Sequence, residues 1–284
     1  MSDTDVAAPP TKTQYLGSIP IIDTVAKVEL LTMVLWGKPA CGKTVLASSA
    51  PGRKLWLQFD PNGSASLRRT HDISVADFAA VPPARMEMFK QGGIVEKDLL
   101  VMLKGWGPGN TVVVDSLTSL GQMSLYYGIA SGKANRGKFK ASIEEPGQTG
   151  YGVRSAIVLD FIAMVMRVCA DTRSHVIFVA HDMERMDDDG KLEEITINLG
   201  GQGRSVLPAK ISELWHMSDD GKRRHVYVRN FNVMRPMRTR MFAVPDGRNS
   251  FLSTYDQDKD TGLTIAQLYE TWAAAGFSRI PMPS

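Results

Sequence analysis

Residues 37–44 constrain the fold of this chain more than any other segment. They are Gly-Lys-Pro-Ala-Cys-Gly-Lys-Thr and satisfy the pattern G-x-x-x-x-G-K-[ST] in full. A buried apolar run of strand length, 30–36, precedes them, and a predicted helix, 44–49, follows. Glycines let the backbone wrap around phosphates, and its N–H groups and the helix N terminus attract negative charge. The predicted phosphate loop consists of Gly37, Lys38, Pro39, Ala40, Cys41, Gly42, Lys43 and Thr44.

The rest of the chain shows the pattern of an α/β fold. Further β-rich apolar runs at 54–59, 111–114 and 175–180 are separated by segments long enough for crossover helices. This spacing predicts a mostly parallel sheet with helices on both faces. After residue 180, a hairpin turning at Asp189-Gly190 and two short runs, 226–229 and 238–244, predict antiparallel strands at the sheet edge.

Three segments are distinguished along the chain. Residues 1–24 contain Pro9, Pro10 and Pro20 and predict a flexible arm that is also a candidate oligomerisation segment. Residues 25–250 form the predicted α/β core. Residues 251–284 form a C-terminal helical extension, in which Thr264 caps a helix that stops at Gly276.

The composition excludes several classes of protein. With 43% hydrophobic and 22% charged residues, the chain is not mainly disordered, collagen-like or coiled-coil. Its net charge of +3 is too small to demand a nucleic-acid or membrane partner. Two cysteines, Cys41 and Cys169, cannot build a disulfide framework and favour a reducing compartment. No export signal or membrane span is predicted, so we expect a cytoplasmic protein with no membrane partner.

An acid at the end of a second strand completes the predicted site. The β-branched run 111–114 leads into Asp115, and the ends of parallel strands meet at one edge of a sheet. Many apolar strands end in Asp, so Asp115 is a candidate metal ligand mainly because the chain also contains the phosphate loop. We expect Lys43 to meet the β- and γ-phosphates of ATP, while the Thr44 hydroxyl and Asp115 hold Mg²⁺.

The order of these motifs resembles a known family. The phosphate loop, Phe59-Asp60, the run VVVDS at 112–116, a helix begun by Tyr151-Gly152 and a strand ending Ala180-His181-Asp182 follow one another. This order is similar to that of phage-encoded RecA-like ATPases, in particular the Sak-type single-strand annealing and recombination family, over about residues 28–245. The resemblance implies a RecA-like P-loop NTPase core, single-stranded DNA as partner and a homo-oligomer, either filament or ring. It also implies a bacterial host cytoplasm, with a single-stranded DNA-binding protein as a further candidate partner.

The resemblance implies roles for Asp60 and nearby acids. Asp60 matches the family's strand-end acid, whereas Asn62 occupies the position of the expected catalytic Glu. Asp60, Glu144 and Glu145 therefore remain three candidates for the general base, or turnover is slow.

Two further positions match polar groups of the family's site. His181 matches the residue that senses the γ-phosphate, although capping the strand end is an equally simple role. Arg229 best matches the basic residue that a neighbouring subunit supplies to the γ-phosphate. Arg235 and Arg238 are weaker matches.

Three basic stretches are candidates for DNA contact. The glycine-rich stretch 128–150 suits a loop that follows a phosphate backbone, although a solvated surface loop would have the same composition. Segment 221–245 carries seven Lys or Arg and no acid. By contrast, 182–194 carries seven acids against two basic residues, so the following segment 200–204 is the better DNA loop. The candidate DNA contacts are Lys133, Arg136, Lys138, Phe139, Lys140, Arg204, Arg223 and Arg224.

These motifs lead to one preferred function and two alternatives. The preferred function is a DNA-stimulated ATPase that assembles on single-stranded DNA and promotes annealing or recombination, with ATP hydrolysed between subunits. One alternative is a P-loop motor ATPase acting on duplex DNA or protein. The other is a DNA-binding oligomer locked by nucleotide without hydrolysis, which Asn62 favours.

Overall fold

The computed structural model describes residues 15–16, 19–20, 29–61, 63–67, 72–81, 83–136, 140–200, 203–230 and 235–283. Its strands are β1 (Tyr15–Leu16), β2 (Ile19–Pro20), β3 (Thr32–Gly37), β4 (Lys54–Gln58), β5 (Ile73–Asp77), β6 (Thr111–Asp115), β7 (His175–Met186), β8 (Leu192–Ile197), β9 (Glu213–Asp219), β10 (Arg224–Tyr227), β11 (Phe242–Ala243), β12 (Ser250–Leu252) and β13 (Ile280–Pro281). Its α-helices are α1 (Lys43–Ser48), α2 (Ile94–Trp106), α3 (Leu117–Ala130), α4 (Gly147–Asp171), α5 (Gly203–Lys210) and α6 (Ile265–Ala274). Gly63–Leu67 and Pro83–Phe89 are 3₁₀-helices.

Most strands belong to one mixed sheet. Its order is β5-β4-β6-β7-β3-β9-β10-β12, and β8 pairs with the outer half of β7. The strands from β5 to β9 along this order are parallel, whereas β8, β10 and β12 are antiparallel to their neighbours. The predicted α/β class, mostly parallel with antiparallel strands at the edge, is confirmed.

Each face of the sheet carries its own apolar core. Because side chains alternate along a strand, Val34 and Trp36 of β3 point to one face and Met33 and Leu35 to the other. Helices α2, α3, α4 and α5 pack on the first face. Helices α1 and α6 pack on the second face. The predicted cover of helices on both faces is therefore confirmed.

One predicted edge strand pairs with the central sheet only at its first residue. Arg238 makes a single antiparallel bridge to Leu214 of β9, whereas β11 pairs in parallel with β13 instead of extending the central sheet. The buried Glu213 carboxylate explains this, since it accepts the N–H groups of Arg240 and Met241 at 2.7 and 2.9 Å and the Thr239 hydroxyl at 2.7 Å. Those N–H groups are then unavailable for a ladder with a neighbouring strand.

The C-terminal segment packs closely against the core. Helix α6 begins in a capping box of Thr264 and Gln267, and the Ile265 N–H donates to the Ser49 hydroxyl, just after α1, at 3.0 Å. The division into an arm of 1–24, a core of 25–250 and an extension of 251–284 stays a prediction. Among the helices of the described ranges, none has the length and apolar character needed to cross a bilayer.

His175, at the start of β7, makes the stability of this fold depend on pH. Its buried ring accepts the Leu31 N–H at 3.1 Å and contacts Tyr269, and burial lowers the pKa of His175 to about 4. The unfolded chain therefore takes up this proton first, so the stability contributed by neutral His175 is lost as pH falls from about 6.5 to about 4. We expect the group to remove about 2 kcal/mol from the free energy of unfolding between pH 8 and pH 5.

Urea unfolding of wild type and His175→Gln at both pH values measures this contribution. The introduced amide would keep an acceptor for the Leu31 N–H without titrating, so the variant should lose about 2 kcal/mol less over that range than wild type. An identical loss in both proteins would show that His175 is not the group responsible.

Candidate functional site

The phosphate loop leaves β3 at Gly37 and enters α1 at Lys43. Gly37 has φ 149°, and a methyl group there would lie 2.1 Å from the Met217 carbonyl oxygen of neighbouring β9. Gly42 has φ 94° and precedes the first residue of α1. Both glycines are therefore required by the path of the chain, through close approach at Gly37 and positive φ at Gly42.

Lys43 lies inside this loop. Its side chain is buried, and Nζ donates to the carbonyl oxygens of Gly37 at 2.9 Å and Lys38 at 2.6 Å. The Cys41 sulfur is 3.7 Å away, and burial raises the pKa of its thiol despite the attraction of Lys43. Cys41 is therefore a protonated small side chain, and the loop encloses one fixed positive charge.

Thr44 and Asp115 meet although 71 residues separate them, and the Thr44 hydroxyl donates to Asp115 Oδ2 at 2.9 Å. Asp115 ends β6, and burial, reinforced by the negative charge of Asp60, raises the pKa of Asp115 to about 6 despite that hydrogen bond. A desolvated carboxylate next to a hydroxyl is stabilised by a cation. The pair fits Mg²⁺, which usually takes one or two protein carboxylates and completes its shell with water and phosphate oxygens.

A second acid, Asp60, lies beside this pair in a polar network. Asp60 Oδ1 accepts hydrogen bonds from the hydroxyls of Ser116, at 3.1 Å, and Ser119, and Oδ2 is 3.7 Å from His181 Nε2. Burial raises the pKa of Asp60, but His181 and these hydroxyls outweigh it, so the net pKa lies below the ordinary value. Asp60 is therefore ionised at neutral pH.

His181 connects this network to the segment after β8. Its backbone N–H donates to the Thr118 hydroxyl, and its carbonyl accepts the Asn198 N–H, both at 2.9 Å. The backbone of His181 is thereby fixed to Thr118 and Asn198, while its imidazole faces Asp60.

These groups line one cleft of about 550 Å³ at the carboxyl edge of the sheet. Its lining consists of Pro39, Ala40, Gly42, Lys43, Thr44, Val45, Asp60, Pro61, Gly63, Ser66, Asp115, Val179, His181 and Arg224.

The comparison with protein families supports this site. A family model described as an AAA domain matches residues 29–235, which is more than half of the chain and includes every group lining the cleft. The chain belongs to the AAA domain family. This AAA domain is a P-loop ATPase domain, and residues 37–44 with the phosphate-loop pattern lie within the matched range. The comparison with curated proteins gave no match.

The AAA domain brings only some of the sequence-predicted residues together. Lys43, Thr44, Asp60, Asp115 and His181 lie within the cleft. Glu144 and Glu145 are exposed and are not part of the cleft lining. Asn62 lies outside the described residues.

The candidate DNA contacts have different environments in the AAA domain. Lys133 pairs with Glu87 at 2.6 Å and lies over the Tyr127 ring, so its ammonium already contacts groups of its own chain. Arg136, Lys140 and Arg223 are exposed. Lys138, Phe139 and the side chain of Arg204 lie outside the described residues.

None of the three arginines matched to the neighbour's basic residue lines the cleft of its own chain. Arg229 lies five residues beyond Arg224, about 17 Å along an extended chain, and is 3.8 Å from Asp246. Arg235 lies over the Tyr227 ring, and Arg238 is bridged through its backbone to Leu214 of β9.

Sequence analysis missed four side chains that shape the AAA domain's site. Ser116, Ser119 and Thr118 position Asp60 and His181, and the spacing Ser116-x-x-Ser119 directly after Asp115 was the available signal. Arg224 was assigned to DNA, yet it lines the cleft. Nothing local in the sequence reveals this, because it depends on the register of β10 against β9.

Proposed function

We propose that this AAA domain binds ATP with Mg²⁺ and hydrolyses it as a homo-oligomer on single-stranded DNA, promoting annealing or recombination. The family supports nucleotide binding, and the cleft around Lys43 supports its proposed place. The DNA substrate, the oligomer and a phage origin rest on the resemblance of the motif order to the Sak-type recombination proteins.

The observation that best supports coupling to DNA is an unbroken path of contacts from the cleft. Thr44 contacts Asp115, Asp60 lies beside both, and His181 joins Asp60 to Asn198. Asn198 lies two residues before the segment 200–204, the DNA candidate, whose Gly203 begins α5. A change at the phosphates would reach Asn198 through these contacts, and its transmission to DNA through the following segment is part of the proposal.

The basic segments lie at the same end of the sheet as the cleft. Helix α4 has 25 residues and spans about 37 Å, whereas β6 spans about 17 Å. Since α4 ends where β7 begins, its N terminus projects past the carboxyl edge, together with the preceding loop that carries Arg136 and Lys140. The β9–β10 turn, with Lys222 and Arg223, is also at this edge.

Each group of the cleft has a proposed task. Lys43 holds the β- and γ-phosphates, and Thr44 and Asp115 hold Mg²⁺, which when bound offsets phosphate charge and orients the phosphates. Asp60, ionised and fixed by two hydroxyls, orients the attacking water and accepts its proton. His181 keeps Asp60 in place, and Arg229 of a neighbouring subunit stabilises the charge that develops on the γ-phosphate.

The proposal is tested by measuring ATP hydrolysis with single-stranded DNA, with duplex DNA and without DNA. We expect single-stranded DNA to give the highest rate. Preferential stimulation by duplex would instead identify a duplex motor, and tight Mg²⁺-ATP binding without turnover in any condition would identify a nucleotide-locked oligomer.

DNA affinity should depend steeply on salt. If Arg136, Lys140, Lys222 and Arg223 each neutralise one phosphate, the affinity for single-stranded DNA should fall by about 50-fold between 50 and 200 mM salt. Fluorescence anisotropy of a labelled oligonucleotide measures this. Replacing all four residues by Ala should weaken binding at low salt and flatten the salt dependence.

A matched control replaces two exposed lysines of α2, Lys97 and Lys104, by Ala. The control should keep wild-type affinity and salt dependence. An affinity that is insensitive to salt in the wild type, or an equal loss in the control, would contradict the assignment of these contacts.

A further inference from the structure

Arg224, the first residue of β10, packs against the phosphate loop of its own chain. A methyl group on Gly42 would lie 2.9 Å from Arg224 Cδ, 3.1 Å from Nε and 3.3 Å from Cζ. The stem and the guanidinium therefore lie directly on the glycine that precedes Lys43. Arg224 also lines the cleft together with Lys43, Thr44, Asp60 and Asp115.

The backbone of Arg224 is held by both neighbouring strands. It pairs with Asp219 of β9, and its carbonyl accepts the Ser253 N–H at 2.9 Å. The Asp219 carboxylate lies 3.4 Å from Arg224 Nε. Within the described residues, the two terminal guanidinium nitrogens of Arg224 make no hydrogen bond, so this fork of donors is available to a ligand.

The charges of the cleft lining favour a second positively charged side chain beside Lys43. Among the described residues that line it, Asp60 and Asp115 are acidic, and Lys43 alone does not outweigh them. A triphosphate remains negatively charged after binding one Mg²⁺, so a cleft with an excess of carboxylates would repel it. Arg224 adds a second permanent positive charge to this lining, shared with Asp219 only through Nε, and its planar fork matches the geometry of phosphate oxygens.

We propose that Arg224 binds the phosphate tail of the nucleotide in the cleft of its own chain, acting in cis beside Lys43. This inference rests on the proposed nucleotide binding and extends it by one residue. It separates Arg224 from its neighbour Arg223, which is exposed and remains a candidate DNA contact.

The test compares two substitutions of adjacent arginines. Arg224→Met keeps an unbranched stem to pack on Gly42 and removes the charge, whereas Arg223→Ala changes only an exposed side chain. Affinities for a fluorescent ATP analogue and for ADP are measured with Mg²⁺, and single-stranded DNA binding is measured without nucleotide. Thermal unfolding confirms that both variants fold, and Arg224→Lys serves as a second variant.

We expect Arg224→Met to weaken ATP binding by about 10- to 100-fold, the effect of losing a charge-assisted hydrogen bond, and to leave DNA binding without nucleotide unchanged. Arg224→Lys should recover part of the affinity, and Arg223→Ala should bind ATP as wild type does. Unchanged ATP and ADP affinity in Arg224→Met, with wild type binding ATP, would overturn the inference alone. Failure of wild type to bind ATP would instead overturn the proposed function.

Mixing subunits distinguishes action in cis from action between subunits. Lys43→Ala subunits keep Arg224, and Arg224→Met subunits keep Lys43. If Arg224 acts in cis, the mixture should hydrolyse ATP no faster than the sum of its two parts. A clear gain of activity on mixing would show that Arg224 serves a neighbouring site and would overturn the proposal.

Discussion

Lys43→Ala is expected to lower the affinity for Mg²⁺-ATP by at least about 100-fold, because it removes the charged donor at the centre of the phosphate loop. The Lys43 ammonium is buried and bonded to the carbonyls of Gly37 and Lys38. A charge fixed in a site of low solvent access interacts with phosphate more strongly than an exposed one. Titration with a fluorescent ATP analogue at fixed Mg²⁺ measures the loss.

Lys38→Ala provides the matched control within the same loop. The Lys38 ammonium pairs with Glu184 at 2.7 Å and is 66% exposed, so it lies outside the enclosed part of the loop. We expect the Lys38→Ala variant to bind ATP within about threefold of wild type, because an exposed ion pair contributes little free energy. If Lys43→Ala bound ATP as wild type does, residues 37–44 would not be the phosphate loop of a nucleotide site.

Asp60→Asn is expected to reduce ATP hydrolysis by about 10²- to 10⁴-fold while leaving ATP affinity within a few-fold of wild type. The substitution keeps the shape of the side chain and an oxygen that accepts the Ser116 and Ser119 hydroxyls. It removes the negative charge that can accept a proton from water. Single-turnover hydrolysis, measured beside equilibrium binding, separates the two effects.

The control for this prediction tests the competing acids. Glu144→Gln combined with Glu145→Gln alters two exposed carboxyls outside the cleft lining and should hydrolyse ATP at the wild-type rate. The opposite pattern, with activity retained in Asp60→Asn and lost in the double variant, would assign the general base to the loop before α4.

The fold was predictable where local pattern decides structure. The runs at 30–36, 54–59, 111–114 and 175–180 became β3, β4, β6 and the inner half of β7, because fully buried parallel strands need continuous apolar sequence. The segment 238–244 was also expected to be an edge strand, but only Arg238 pairs with the central sheet. A distant buried carboxylate, Glu213, binds its N–H groups, and no local pattern encodes that contact.

The site was partly predictable for a related reason. Thr44 and Asp115 were expected to meet because each follows a parallel strand, and such strands end at a common edge. The basic residues were harder, since composition does not say which way a side chain points. Lys133 binds Glu87 and Tyr127, whereas Arg136 and Lys140, from the same loop, are exposed.

The sequence by itself determined the predicted phosphate loop, because the whole pattern lies within eight consecutive residues and Gly42 acts through its local backbone conformation. The order of the motifs already placed Asp60 and His181 at this site, whereas only the tertiary structure decided that Arg224 joins them. These residues come from different strands, and the order and register of the strands bring their side chains together. That order is fixed by long-range packing on both faces of the sheet, to which strands and helices from β3 to α6 contribute.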